Sequence, residues 1–155
     1  MIGLRDIQTT ARDVISASDY FSNAPDGPAE LVIADTGLSK DDIENSLNKR
    51  GIAVVVDFPL NAATFRRAPG VTHVYVTVPV HVQLNPVANA DPEYGAHKDA
   101  LTAVDEVAIA MMDYNPEGDE ADRFELEEDA IDLLSSDAGL VAYVLWFRKL
   151  CVFSS

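Results

Sequence analysis

An alternation of apolar and other residues between positions 74 and 84 constrains the fold of this chain more than any other feature. The apolar positions are Val74, Val76, Val78, Val80, Val82 and Leu84. A period of two is the side-chain period of a β-strand, so the pattern predicts a long strand with one buried and one wetter face. Pro79 lies within it and has no backbone N–H. We therefore expect the strand to lie at a sheet edge or to carry a bulge at Pro79.

The C-terminal run Leu140–Phe153 predicts a second long strand, because it is rich in Val, Leu, Tyr, Trp and Phe. Both parities are apolar in its first half: Val141, Tyr143, Leu145 and Phe147 on one, and Leu140, Ala142, Val144 and Trp146 on the other. A sheet with helices on one side leaves its second face to water. Either neighbouring subunits or a loop of the same chain would then cover that face. Trp146 and Phe153 are accordingly candidate subunit or partner contacts.

Apolar residues at helical spacing predict three helices. The first runs from Leu4 to Phe21. The second begins after Ser39 and ends at Lys49-Arg50, where Gly51 supplies a left-handed stop. The third runs from about His97 to Tyr114. Its predicted apolar stripe consists of Leu101, Val104, Ala108, Met111 and Met112.

Further strands are predicted over residues 29–34, 52–56 and 130–134, with loops over 60–70, 85–93 and 117–129. This order predicts an α+β fold: one mixed or mostly antiparallel sheet with about three helices packed on one face. The 155 residues contain no linker-like segment, so we expect a single α+β domain over residues 1–155. Cys151 is the only cysteine, which rules out an internal disulfide.

Charge restricts the possible partners. Asp and Glu number 26 against 11 Lys and Arg, for a formal net charge of -15. Such a surface repels phosphate backbones, so specific binding of DNA or RNA is not expected, whereas DNA could pass without adhering. The charged N-terminal segment predicts no signal peptide, and no apolar run approaches the ~18 residues that a membrane span needs.

Motifs for catalysis are absent from the sequence: it has no phosphate-binding glycine loop, paired-cysteine site or nucleophile elbow. We therefore expect no enzyme activity, no cofactor and no resident metal. One segment partly matches a calcium-binding hand, with Asp113, Asn115, Glu117, Gly118 and Asp119 at suitable positions. Phe124, however, occupies the place of the bidentate Glu. A cation-binding or small-ligand domain is thus an alternative, against a solvated acidic loop or an acidic docking face.

Several elements together resemble the tail terminator (tail completion) proteins of long-tailed bacteriophages. They are the N-terminal helix with Leu4-Arg5-Asp6-Ile7, the helix ending in Lys49-Arg50-Gly51 before strand Ile52–Val56, the alternating strand Val71–Leu84, the helix Ala100–Met112 and a terminal strand pair around Asp137-Ala138-Gly139. The resemblance covers most of the chain and consists of the order of the elements and the general pattern of their residues.

The resemblance implies a structural virion protein of the tail or neck, assembled in the host cytoplasm. Such proteins form a homohexameric ring on the last ring of tail tube protein, end tube growth and join the tube to the head-side connector. DNA passes through the hole as cargo. Related neck, head-completion and tail tube proteins are alternatives.

The resemblance also gives two charged segments a role as candidate contacts. The loop with Arg66 and Arg67 is expected to meet an acidic segment of the adjacent subunit, a heterologous contact of the kind that closes rings. The acidic segment 117–129, which includes Glu120, Glu125, Glu127 and Glu128, would line the hole or face a neighbouring protein.

Overall fold

The computed structural model describes residues 3–22, 32–116, 118, 123–135 and 139–154, with the backbone alone for residues 22, 61–68, 71 and 152–154. The elements are α1 (Leu4–Ser16), α2 (Asp19–Ser22), β1 (Val32–Ala34), α3 (Lys40–Lys49), β2 (Ile52–Val56), β3 (Leu60–Ala68), β4 (Val71–Leu84), α4 (Pro86–Asn89), α5 (Ala100–Asp113), β5 (Glu125–Ser135) and β6 (Val141–Ser154). One mixed sheet and three longer helices, α1, α3 and α5, confirm the predicted α+β class.

The sheet is built around β4, which pairs with β6 along its whole length, from Val71 opposite Ser154 to Leu84 opposite Val141. On its other side β4 has two neighbours in turn. β2 pairs with Val80–Leu84, and β3 pairs with Val71–Thr77. The strand order is β1-β2-β4-β6-β5, with β3 beside β4. The β1–β2 pair is parallel, and the other described pairs are antiparallel.

Pro79 lies in this central strand, and the pairing of β4 with β6 continues without a shift from Val78 to Val80, so both the expected sheet edge and the expected bulge are wrong. The Pro79 carbonyl accepts a hydrogen bond from the Asp57 N–H at 2.9 Å. This bond lies on the side of β4 that pairs with β2 and β3, between the two paired stretches. In an antiparallel strand the N–H and the carbonyl of one residue point to the same side. The N–H that proline lacks would therefore face the connection between two neighbouring strands, where no ladder partner is needed.

Two predicted loops contain strands instead. Residues 60–70 form β3 and a tight turn at Gly70 (φ 74°), and the acidic segment becomes β5 from Glu125 onwards. Within the described residues, each of these strands pairs with a single neighbour, β3 with β4 and β5 with β6. Neither strand has a strong alternation of apolar and polar residues in its sequence. Each forms nevertheless, because backbone hydrogen bonds to a long neighbouring strand do not depend on the side chains.

The helices differ from expectation mainly at their ends. The first predicted helix is interrupted near Ala17, giving α1 and α2, and the third begins at Ala100, capped by Asp99. Gly51 has φ 80°, as its predicted role as a left-handed stop requires. The predicted loop 85–93 includes the short helix α4.

The core lies between α1, α5 and one face of the sheet. The helices contribute Ile7, Ala11, Ile15, Val104, Val107 and Met111, and the long strands contribute Val76, Val78, Val80, Val82, Leu145 and Phe147. This face is the one predicted from the alternation in β4. Burial of these side chains is what ties the two helices to the sheet.

Candidate interaction surface

The predicted contact residues are distributed over three strands. Glu125, Glu127 and Glu128 lie in β5, and Trp146 lies in β6. Arg66 and Arg67 lie in β3, and Phe153 lies near the end of β6, but only their backbone is described. Glu120 lies outside the described residues, as do positions 136–138 of the predicted terminal turn. The structure thus brings Glu125, Glu127 and Trp146 to neighbouring strands.

A polar network occupies the sheet face opposite the helices. The Thr77 hydroxyl donates to Glu127 Oε1 at 2.6 Å, and Arg148 Nε donates to Glu125 Oε2 at 2.9 Å. The Arg148 guanidinium also stands 5.0 Å from the centre of the Tyr75 ring. These contacts hold the first part of β5 against β4 and β6.

Trp146 belongs to the same face. Its indole Nε1 donates to Asp132 Oδ2 at 3.3 Å, joining β6 to the middle of β5. Between Leu126 and Ile131 the pairing of β5 with β6 is shifted, and Glu127 in this irregular stretch reaches across to β4. The exposed ion pair of Arg148 and Glu125 contributes little stability, so the network mainly sets the position of β5.

The apolar second face expected in the first half of β6 is not open. Ala142 and Val144 have the parity of Trp146, yet Val144 has no accessible surface and Ala142 is buried. Of the two alternatives, cover by the chain itself is correct for these two residues. The sequence pattern could not decide between them, because coverage depends on contacts between distant segments.

Apolar side chains are exposed instead on α5 and β5, two elements that pack against each other. We define the apolar band as the exposed large apolar residues of these elements: Leu101, Ile109, Met112, Ile131, Leu133 and Leu134. Ile131 and Leu133 pair with Leu145 and Tyr143, so they lie on the helix side of the sheet. Leu133 is 53% exposed and Leu101 is 59% exposed. The band therefore contributes little to the core.

Two members of the predicted α5 stripe belong to this band, which corrects the sequence prediction. Leu101 and Met112 are exposed, whereas Ala103 and Val107 join Val104 and Met111 in the core. Because 11 residues are close to three helical turns, Leu101 and Met112 share one side of α5. The predicted stripe includes them because it is wider than the face that α5 buries.

The described residues do not form a cation site. Among the described residues, no group of three or more His, Cys, Asp or Glu side chains is arranged to hold a metal ion. Glu117 and Asp119 of the partial calcium-binding match lie outside the described residues. Across the described chain, no helix has the length and apolar character to cross a membrane.

The thiol of Cys151, the only cysteine in the sequence, is not accessible to reactants. Cys151 is buried in β6, and this burial raises the pKa of the thiol, although nearby Lys149 opposes the shift. A protonated buried thiol is a poor nucleophile. We therefore assign no disulfide or reactive role to Cys151.

A cleft with a volume of about 980 Å³ opens between α1, β1 and α3. Charged residues of both signs surround it, including Arg12, Asp13, Asp42 and Lys49. The segment that leads from α2 to β1 lies outside the described residues. This mixture of charges does not define the chemistry of one ligand, so the cleft supports no specific binding function.

No protein-family model and no curated protein matches the sequence of this chain. The fold defines it as an α+β protein with one mixed sheet. Its candidate site is a surface, made of the apolar band and the acidic edge strand β5, rather than a pocket.

Proposed function

We propose that this chain is a tail terminator of a long-tailed bacteriophage, a structural subunit that assembles into a closed ring. The ring would cap the tail tube, end its polymerisation and join it to the head-side connector. The resemblance in element order suggests this class. The observation that carries the proposal is the apolar band, because side chains left exposed on two adjoining elements are typical of protein contacts.

The charge of the chain supports the same function. A ring through which DNA passes must not bind it, and a net charge of -15 repels the phosphate backbone. On the face opposite the helices, Glu125, Glu127 and Asp132 add acidic groups. These acids would suit either the hole of the ring or a basic surface of the tail tube protein or the connector.

Imaging and native mass spectrometry of the purified protein test the proposal. At micromolar concentration we expect a short, closed homohexameric ring that does not grow into a filament. Filaments would instead identify a tail tube protein. A monomer at the highest soluble concentration would refute ring formation. Added to growing tubes of the tail tube protein from the same virion, the ring should stop elongation.

A pair of matched variants tests the role of the apolar band. We expect Leu133→Ser with Leu134→Ser to raise the concentration for half-assembly by about tenfold or more, because the substitutions remove exposed apolar area from the contact. Leu38→Ser with Val87→Ser is the control, since Leu38 and Val87 are even more exposed but lie on the α3 and α4 side. Equal assembly of the two double variants would exclude the apolar band from the contact.

A further inference from the structure

Among the described strands, three lie at an edge of the sheet: β3 and β5 carry opposite charge, and β1 contains no charged residue. β3 pairs with β4 along Val71–Thr77, and β5 pairs with β6, so β3 and β5 are edge strands on opposite sides of the β4–β6 pair. Within the described residues each has a hydrogen-bonded strand on one side only. We propose that β3 of one copy pairs with β5 of the next copy, which continues the sheet from subunit to subunit. This inference rests on the proposed ring and names the contact that closes it.

Strand direction permits this pairing. β3 and β6 are both antiparallel to β4, and β5 is antiparallel to β6, so β3 and β5 run in opposite directions. A copy placed beside its neighbour in the same orientation would bring the two edges together as an antiparallel pair. Antiparallel pairing needs no crossover connection and satisfies the backbone groups of both edges.

Charge selects the partner edge. β3 contains Arg66 and Arg67 and no acid, whereas β5 contains five acids and no base. The acids are Glu125, Glu127, Glu128, Asp129 and Asp132. Pairing of β5 with β5, or of β3 with β3, would place like charges opposite each other, which is destabilising. The favoured contact joins two different surfaces, and such heterologous contacts build rings rather than two-fold dimers.

The positions of the two edges also suit a closed sheet. β3 pairs with residues 71–77 of β4, a stretch centred on Val74. β5 pairs with the part of β6 that lies opposite residues 77–83 of β4, a stretch centred on Val80. We call the residues that lie opposite one another across the strands a row. An offset of six rows is roughly 20 Å, and four strands are roughly 19 Å wide. Joining the edges would tilt the strands by roughly 45° from the ring axis. Closed sheets have strand tilts of about 35–45°.

Charge exchange between the edges tests the contact. Arg66→Glu with Arg67→Glu makes both edges acidic, and Glu128→Arg with Asp129→Arg and Asp132→Arg makes both basic, because β5 then has three bases against two acids. We expect each variant alone to need at least about tenfold higher concentration to assemble. An equimolar mixture should assemble like the wild type, with alternating subunits, because every contact then joins an acidic and a basic edge. Native mass spectrometry resolves the composition of the mixed rings.

A control with the same change of net charge as the Arg66 and Arg67 variant is Arg12→Glu with Lys40→Glu, on the exposed parts of α1 and α3. It should assemble like the wild type. Thermal melting checks that all variants are folded, and hydrogen exchange on the wild-type ring gives a measurement free of substitutions. Backbone amides of residues 60–68 and 131–135 should become protected on assembly.

The outcomes separate this inference from the function on which it rests. If the wild type forms rings while the edge variants assemble like the control, or if the edge amides stay unprotected, the β3–β5 contact is overturned and the ring remains. If the wild type stays monomeric, both the contact and the proposed function fail. Rescue in the mixture, with equal numbers of the two variants in each ring, would establish the contact.

Discussion

β2 and β5 belong to the same sheet but have opposite surroundings. All five residues of β2 are buried, whereas most of the 11 residues of β5 are exposed. β2 lies between β1 and β4, whereas β5 is an edge strand with β6 as its described neighbour. We infer that β2 determines the stability of the monomer, whereas the side chains of β5 remain available for association.

The largest expected effect is at Gly51, directly before β2. Its φ of 80° disfavours any side chain, and an added Cβ would overlap the backbone of Asn89. We expect Gly51→Ala to lower the free energy of unfolding by more than about 4 kcal/mol, or to prevent folding. Gly139, near β6, is the matched control, since its φ is 75° but its added Cβ meets nothing within 4 Å.

Urea unfolding of the two variants separates backbone strain from steric overlap. Gly139→Ala should cost only about 1 kcal/mol, because the left-handed conformation is its only penalty. Equal losses in the two variants would show that Asn89 can move aside, and would weaken the assignment of β2 as the stability-determining side of the sheet.

A smaller effect is expected from truncating a side chain in each strand. Val54 in β2 has no accessible surface, and Val54→Ala should lower the free energy of unfolding by about 2 kcal/mol, since it removes two buried methyl groups. Leu133→Ala in β5 should change it by less than about 0.5 kcal/mol. Denaturant titration at a concentration where the protein is monomeric measures both. A large loss in Leu133→Ala would end the contrast between the two strands.

The smallest effect is expected at the start of α5, which packs beside β5. The Asp99 side chain accepts hydrogen bonds from the Thr102 N–H at 2.9 Å and from the Thr102 hydroxyl at 3.0 Å, and these bonds lower the pKa of Asp99. A carboxylate with a lowered pKa stabilises the fold above its ordinary pKa of 3.8, and this contribution is lost as the pH falls through the lowered value.

Asp99→Ala should therefore lower the melting temperature at neutral pH, and by less than Val54→Ala does. Asp99→Asn should retain most of the cap, because an amide oxygen also accepts from the helix N-terminus. The difference between wild type and Asp99→Asn should shrink as the pH falls below about 4. A difference in melting temperature that is constant between pH 3 and 7 would show that the Asp99 charge does not contribute.

The predictable parts of the fold were those with strong local patterns. The alternation in β4 predicted its buried face, and Gly51 predicted the end of α3, because each depends on a few neighbouring residues. β3 and the first half of β5 were predicted as loops, because only their pairing with distant strands makes them β-structure. Among the site residues, Glu125, Glu127 and Trp146 were predicted as contacts, but the exposure of Leu101 and Met112 was not.

Local sequence patterns are sufficient to establish the α+β class, the length of strand β4, the acidic charge and the positions of the apolar residues. Periodicity and charge are properties of the chain and are read without knowing its contacts. Contacts between distant segments establish that Val144 is covered, that Leu133 is exposed, and that β3 and β5 are edge strands on opposite sides of the β4–β6 pair. Solvent exposure depends on which distant segments meet, and a local pattern does not contain that information.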